Sequence, residues 1–166
     1  NLGVEKRLGG FNSAKTVMSS VNFAEVTELE EAERWDEVAA ILADAAQGVE
    51  RAGADFLMLC TTTFHRVAEQ VEAAVDIPLL HLADVVADAC KAQGVESVAF
   101  IGTTFAMSRS FFRDRIASHG LQVLVPDERL RGASFWMVGD LSGAYASLWN
   151  LAGAAVFVGW LCTRAR

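Results

Sequence analysis

Cysteine is scarce in this chain and proline scarcer: three and two, respectively, in 166 residues. Cys60, Cys90 and Cys162 form no CxxC pair and stand at no ligand spacing from a histidine, which argues against a zinc site. An odd number of cysteines without a disulfide framework points to a reducing compartment, so the expected location is cytoplasmic. Positive charge is also sparse. The net charge is −7 and the basic residues are scattered, whereas a nucleic-acid backbone demands a basic face, so no nucleic-acid partner is expected. The opening Asn1-Leu2-Gly3-Val4-Glu5-Lys6 is no signal peptide. It lacks an initiating methionine and reads like the middle of a helix, so part of the N-terminus is expected to be missing. No metal-binding or pyridoxal-lysine signature is visible.

What the chain has in quantity is Ala, Val and Leu, the composition of a folded, soluble α/β protein. The length suffices for one core or two small lobes. Residues 1–8 read as a helix end stopped by Gly9-Gly10, 15–21 as a strand, and 23–32 as a short acidic helix. Asp36 is placed to cap a helix running to about Arg51, with Val38, Ile41, Leu42, Ala45 and Val49 on one stripe and Gly53 as its stop. After the turn Asp76-Ile77-Pro78 come a short strand at 79–82, a helix at 85–93 capped by Asp84 and stopped by Gly94, and a strand at 97–101. A helix from about Ala106 to Ser118, the stop Gly120 and a strand at 121–125 complete the series. Such alternation means a parallel sheet with helices on both faces.

The chain is organised around Asp55-Phe56-Leu57-Met58-Leu59-Cys60-Thr61-Thr62-Thr63-Phe64-His65. The apolar run reads as a buried parallel strand. Residues 66–75, with Val67, Val71 and Ala74 on one side, read as the helix after it. Cys60 therefore belongs at the carboxyl end of a strand, where open parallel sheets bind ligands. A helix N-terminus there favours an anion and a thiolate alike. A thiol beside three hydroxyls suits a small carboxylate substrate; the bland alternative is a buried cysteine with threonine caps. Gly102-Thr103-Thr104 is a second hydroxyl-rich turn in the next unit. The candidates are thus Cys60, with Thr61, Thr62, Thr63 and Thr103 to bind substrate. Cys90, beside Ala89 mid-helix, reads as packing. His65 reads as a satisfied histidine, with orientation of substrate or thiol as the alternative. His81 precedes a helix, and His119 beside Gly120 suits the negative end of one.

Six segments carry a resemblance to a known family: Arg7-Leu8-Gly9-Gly10, Ser19 to Glu25, Ala52 to Thr61, Asp76 to Asp84, Gly102-Thr103 and Val125-Pro126-Asp127-Glu128. In this order they resemble the aspartate/glutamate racemases, in the branch with broad amino-acid specificity, over residues 1–128. The resemblance implies two pseudo-symmetric α/β lobes, here 1–77, lacking its first strand, and 78–166, divergent after about 129. It implies cofactor-free racemisation of an aspartate- or glutamate-type amino acid by two cysteines, of which Cys60 is the first. A homo-oligomer is expected, because sheet edges and an apolar face left without cover favour self-association.

Three departures accompany it. The family's first strand and Gly-Gly-Met loop would precede Asn1. The family's Cys-Thr-Asn-Thr reads Cys60-Thr61-Thr62-Thr63 here, without the amide. After about Arg129 the match fades; Gly159-Trp160-Leu161-Cys162-Thr163 is similar to the family's Gly-Cys-Thr-Glu strand, with Trp160-Leu161 inserted and no glutamate after Thr163. Two inserted residues on a strand keep the face but move the side chain by roughly 6–7 Å. Cys162 is therefore a weak second catalytic residue, and poor racemisation is expected, with a non-catalytic racemase-like fragment or a small-carboxylate-binding domain as the alternative. Leu141 to Cys162 carries no charge and is long enough to span a membrane. Ser142, Ser147, Asn150 and three glycines dilute it, so the expectation is a buried helix and strand, or an altered tail lacking its native partners, and no membrane partner.

Overall fold

The structure, a computed structural model, describes residues 2–102 and 104–128. Thr103, Cys162 and the uncharged run from Leu141 lie outside the described residues. Two compact units divide them: one holds the residues up to Leu57 together with Glu69–Pro78, the other Met58–Ala68 together with the described residues from Leu79 on.

In the first unit, α1 (Leu2–Leu8) stops at Gly9 and Gly10, and α2 (Phe23–Glu31) packs on α3 (Trp35–Arg51). Asn22 caps α2, its side chain accepting from Ala24 N–H at 3.3 Å. The buried positions of α3 are Trp35, Val38, Ala39, Leu42 and Ala46. This is the expected amphipathic stripe, turned slightly toward the alanines, whose small side chains allow close approach. Asp36 lies inside the first turn of α3 and Arg34 is the N-cap, so the expected Asp36 cap is corrected to an earlier start of the helix. Gly53, at φ +86°, closes α3: its N–H bonds Glu50 O at 2.8 Å and Ala54 N–H bonds Val49 O at 3.4 Å, the paired bonds of a left-handed helix stop. Glu50 then accepts from Asp76 N–H (2.7 Å) and Ile77 N–H (3.1 Å), fixing the expected turn before Pro78 onto α3.

The strand expected at 15–21 is not formed. Residues 12–22 carry no regular element, and those from Asn12 to Ser20 are exposed. A strand needs a neighbour to pair its backbone, and β-type residues alone do not supply one.

The second unit holds the parallel pair β1 (Ser97–Ala99) and β2 (Gln122–Leu124), in register Ser97–Gln122, Val98–Val123, Ala99–Leu124. The connection runs through α6 (Thr104–Ser108) and α7 (Phe111–Ser118), the helical crossover that parallel pairing requires. The single helix expected at 106–118 breaks at Arg109-Ser110. Ser108 Oγ bonds back to Phe105 O at 3.1 Å, the local competition by which serine weakens a helix. α5 (Leu82–Ala92) buries Ala83, Ala87 and Cys90 on one stripe. They join Phe100, Ala106, Met107, Phe112, Ile116 and Leu121 in this unit's core. Cys90 has no exposed surface and is packing, as its spacing indicated. The architecture is α/β, as expected. Among the described residues no helix is long and apolar enough to cross a membrane.

Candidate active site

The strand expected to deliver Cys60 is reduced to a single β-type contact, Leu57 N–H to Pro78 O at 2.9 Å. Leu57 is 6% exposed, but its neighbours Phe56 and Met58 are 54% and 55% exposed. A strand buried on both faces would hide all three, so the reading of a fully buried strand is corrected. The helix expected after the thiol differs too. Instead of one helix over 66–75, a 3-10 turn at Thr63–Val67 leads into a short α4, Ala68–Glu72. A five-residue turn offers little aligned dipole, so the environment of Cys60 rests on its loop.

Cys60 itself is exposed. Thr61 and Thr63 are half-buried, while Thr62 is only 2% exposed. Thr62, which stands where the family carries asparagine, is thus part of this unit's interior.

His65 holds the loop. It is 4% exposed, and both its ring nitrogens are engaged: Nδ1 lies 2.7 Å from Thr61 O, and Nε2 lies 3.2 Å from Leu82 N–H. A backbone N–H can only donate and a carbonyl can only accept, so the ring is the neutral tautomer with its proton on Nδ1. Burial, with a smaller contribution from the Arg115 charge, holds its pKa below the usual histidine value, against the opposing Thr61 bond and Asp84 charge. With neither nitrogen free, His65 is the satisfied histidine that was expected and not a base for the thiol.

Around it stands an aromatic cluster. The His81 ring meets His65 edge-on at 4.5 Å between centroids, Phe112 meets His65 edge-on at 5.7 Å, and Phe100 stacks on Phe112 at 5.5 Å. His81 is the N-cap of α5: Nδ1 accepts from Ala83 N–H at 3.2 Å. Burial first, then the neighbouring His65 and Arg115, lower its pKa to about 4. The cap was expected from Asp84. That carboxylate instead takes both Arg115 donors at 2.8 Å and His119 Nε2 at 2.9 Å, which joins α5 to α7. These bonds, Arg115's foremost, hold Asp84 down at about 2. His119 does stabilise, as its position suggested, but through Asp84 and, at 3.6 Å, Asp88. Sequence spacing carries no signal for this triad, whose members lie 31 and 35 positions from Asp84. Among the described residues no group of three His, Cys, Asp or Glu is arranged to hold a metal ion.

The model of the Asp/Glu/Hydantoin racemase family matches residues 3–152, and the chain belongs to that family. Its fold is similar to a crystal structure from Yersinia pestis described as a candidate Asp/Glu racemase, with a TM-score of 0.79 and 38% identity over 84% of this chain and 61% of that one. It is also similar to an aspartate racemase homologue from Pyrococcus horikoshii OT3, with a TM-score of 0.70 and 27% identity over 78% of this chain and 57% of that one. The chain thus spans about three fifths of the length of these solved relatives.

Proposed function

We propose that this chain carries the cofactor-independent amino-acid racemase chemistry of its family, acting on an aspartate- or glutamate-type substrate in the cytoplasm, with Cys60 as one of two acid–base thiols. The observation that carries the reading is Cys60 exposed at the head of the Thr61-Thr62-Thr63 loop, in a chain of the racemase family. Racemisation removes the α-proton from one face of the carbon and returns a proton on the other, so it needs two groups. A thiolate at Cys60 takes the proton from one enantiomer. A protonated thiol opposite delivers one; Cys162, the weak second candidate, lies beyond the residues 3–152 that the family model matches. Backbone N–H groups of the Cys60 loop and the hydroxyls of Thr61 and Thr63, with Thr103, hold the α-carboxylate and spread the charge of the carbanion, while the buried Thr62 supports the loop from within.

The inserted Trp160-Leu161 sets Cys162 two residues from its place in the pattern. A misplacement of even about 1 Å can cost a hundredfold. The proposal is therefore one-sided chemistry in this chain. In heavy water the α-hydrogen of a single enantiomer of aspartate or glutamate exchanges with configuration retained, and net racemisation is slow. Cys60→Ala abolishes the exchange, while Cys162→Ala leaves it unchanged. Absence of exchange with either enantiomer would sink the reading. Fast racemisation in both directions, lost on Cys162→Ala, would show instead that both thiols work here.

A further inference from the structure

We infer that His65 is the positioning residue of the Cys60 loop: its ring ties the Thr61 carbonyl, one residue from the thiol, to the start of α5. The inference rests on the reading of Cys60 as an acid–base thiol, and it adds what sets that thiol's place. Cys60 gets little help from regular structure. The segment before it makes one β-type contact, and the turn after it is a short 3-10 stretch. The imidazole supplies the missing constraint. Nδ1–H donates to Thr61 O at 2.7 Å, and Nε2 accepts from Leu82 N–H at 3.2 Å. A trans peptide is planar, so fixing the Thr61 carbonyl fixes the whole Thr61–Thr62 peptide and leaves only the two Thr61 dihedrals between that plane and the Cys60–Thr61 peptide.

Only one protonation form can do this. Imidazolium offers two donors and would confront Leu82 N–H with N–H; the other neutral tautomer would confront Thr61 O with a lone pair. The surroundings keep the working form. His65 is buried, His81 faces it at 4.5 Å as a second neutral ring, and Phe112 closes another side. The charged groups acting on it, Arg115 and Asp84, are paired with each other. The Thr61 carbonyl also gains a partner, where a carbonyl left without one in a half-buried loop would swing toward water or toward the thiol.

Two substitutions separate the two ends of the clamp. The amide nitrogen of His65→Asn falls near the position of Nδ1 and keeps the donor to Thr61 O. The longer His65→Gln places its oxygen near Nε2, keeping the acceptor for Leu82 N–H and giving up the Thr61 bond. The readouts are the rate of Cys60 alkylation by iodoacetamide, α-hydrogen exchange of aspartate and glutamate, and thermal stability, all on the 166-residue chain. We expect both variants to lose similar stability. His65→Asn keeps Cys60 alkylation and exchange within about threefold of the parent, whereas His65→Gln shifts alkylation and slows exchange by about 10- to 100-fold, the scale of an ångström-sized misplacement. Nitrogen-15 NMR of the parent is expected to show the proton of His65 on Nδ1 at neutral pH. A proton on Nε2, or two variants that change Cys60 alkylation alike in step with stability, would overturn the clamp and leave His65 a core residue. If the parent exchanges neither substrate, the racemase reading fails, and alkylation and NMR still decide the clamp.

Discussion

Residues 11–21 and 55–65 make opposite use of similar material. Both contain apolar and β-forming residues, both promised a strand, and neither forms one among the described residues. Yet the second is pinned and the first is not. Phe11 is fully exposed and Met18 86% exposed. By contrast Leu57 bonds Pro78, Thr61 bonds His65, and His65 reaches Leu82. Besides the backbone bond of Leu57 to Pro78, the pinning comes from the two contacts of His65, which link positions 4 and 17 apart in sequence. Apolar pattern alone did not order either stretch; a buried side chain with both its hydrogen bonds satisfied ordered one of them.

The largest expected effect breaks the comparison from the ordered side. Phe112 is 2% exposed and touches His65, His81 and Phe100. Phe112→Ala is expected to cost about 3–5 kcal/mol by urea denaturation, since it empties a core position that cannot collapse easily. Phe11→Ala, removing the same group from a fully exposed site, is expected to stay within about 0.5 kcal/mol. Similar costs for the two would mean that residue 11 is covered in solution.

A smaller effect comes from pH. The folded pKa values of His65 and His81 lie below the ordinary histidine value, His81's at about 4. A histidine depressed in this way favours the fold while neutral. Its contribution is present above about pH 6.5 and is lost as pH falls toward 4. Asp84, held at about 2, contributes above its ordinary carboxylate value and loses that contribution as pH falls through about 2. All three therefore weaken the second unit in the same direction, histidines first. His81→Asn keeps an N-cap of good propensity and removes one titrating ring. Melting temperature is expected to fall less steeply between pH 6.5 and 4 in this variant than in the parent. An unchanged slope would assign the acid sensitivity elsewhere.

These contacts mark where the sequence was legible and where it was not. Helices α3 and α5 were legible because apolar spacing and the glycine stops agree: Gly53 and Gly94 both take positive φ. Cys90's burial followed from its place on a helix stripe. The cap of α5 was misread because aspartate is the commoner cap; His81 took that role and released Asp84 to bind Arg115 and His119 across the unit. Nothing in local spacing announces a partner 31 residues away. The Cys60 loop was legible as a place, through its threonines and family pattern, but not as a geometry. The strand before it depended on pairing that no residue in the stretch encodes.

Cysteine labelling tests the same contrast between exposed loop and packed helix. Cys60 is exposed and Cys90 completely buried. Iodoacetamide at neutral pH is expected to modify Cys60 first, with Cys90 reacting only on unfolding, because alkylation requires access to the sulfur. Equal rates in the folded protein would show that α5 opens as readily as the loop.

The smallest effect concerns stability and the most direct concerns order. Met18→Ser removes an apolar side chain that the fold does not bury, so its stability change is expected within about 0.5 kcal/mol of zero. Protease susceptibility reads the difference that stability misses, since cleavage requires a backbone segment that can leave its surroundings. Lys15 lies in the exposed stretch without regular structure; Arg66 lies in the 3-10 turn that begins beside the His65 clamp. Brief trypsin treatment is expected to cut after Lys15 well before Arg66. His65→Gln, which frees Thr61 O, is expected to raise cutting at Arg66 and leave cutting at Lys15 unchanged. Equal cutting at both sites in the parent would show that two hydrogen bonds to one imidazole are not enough to order the Cys60 loop, and the contrast between the two stretches would disappear.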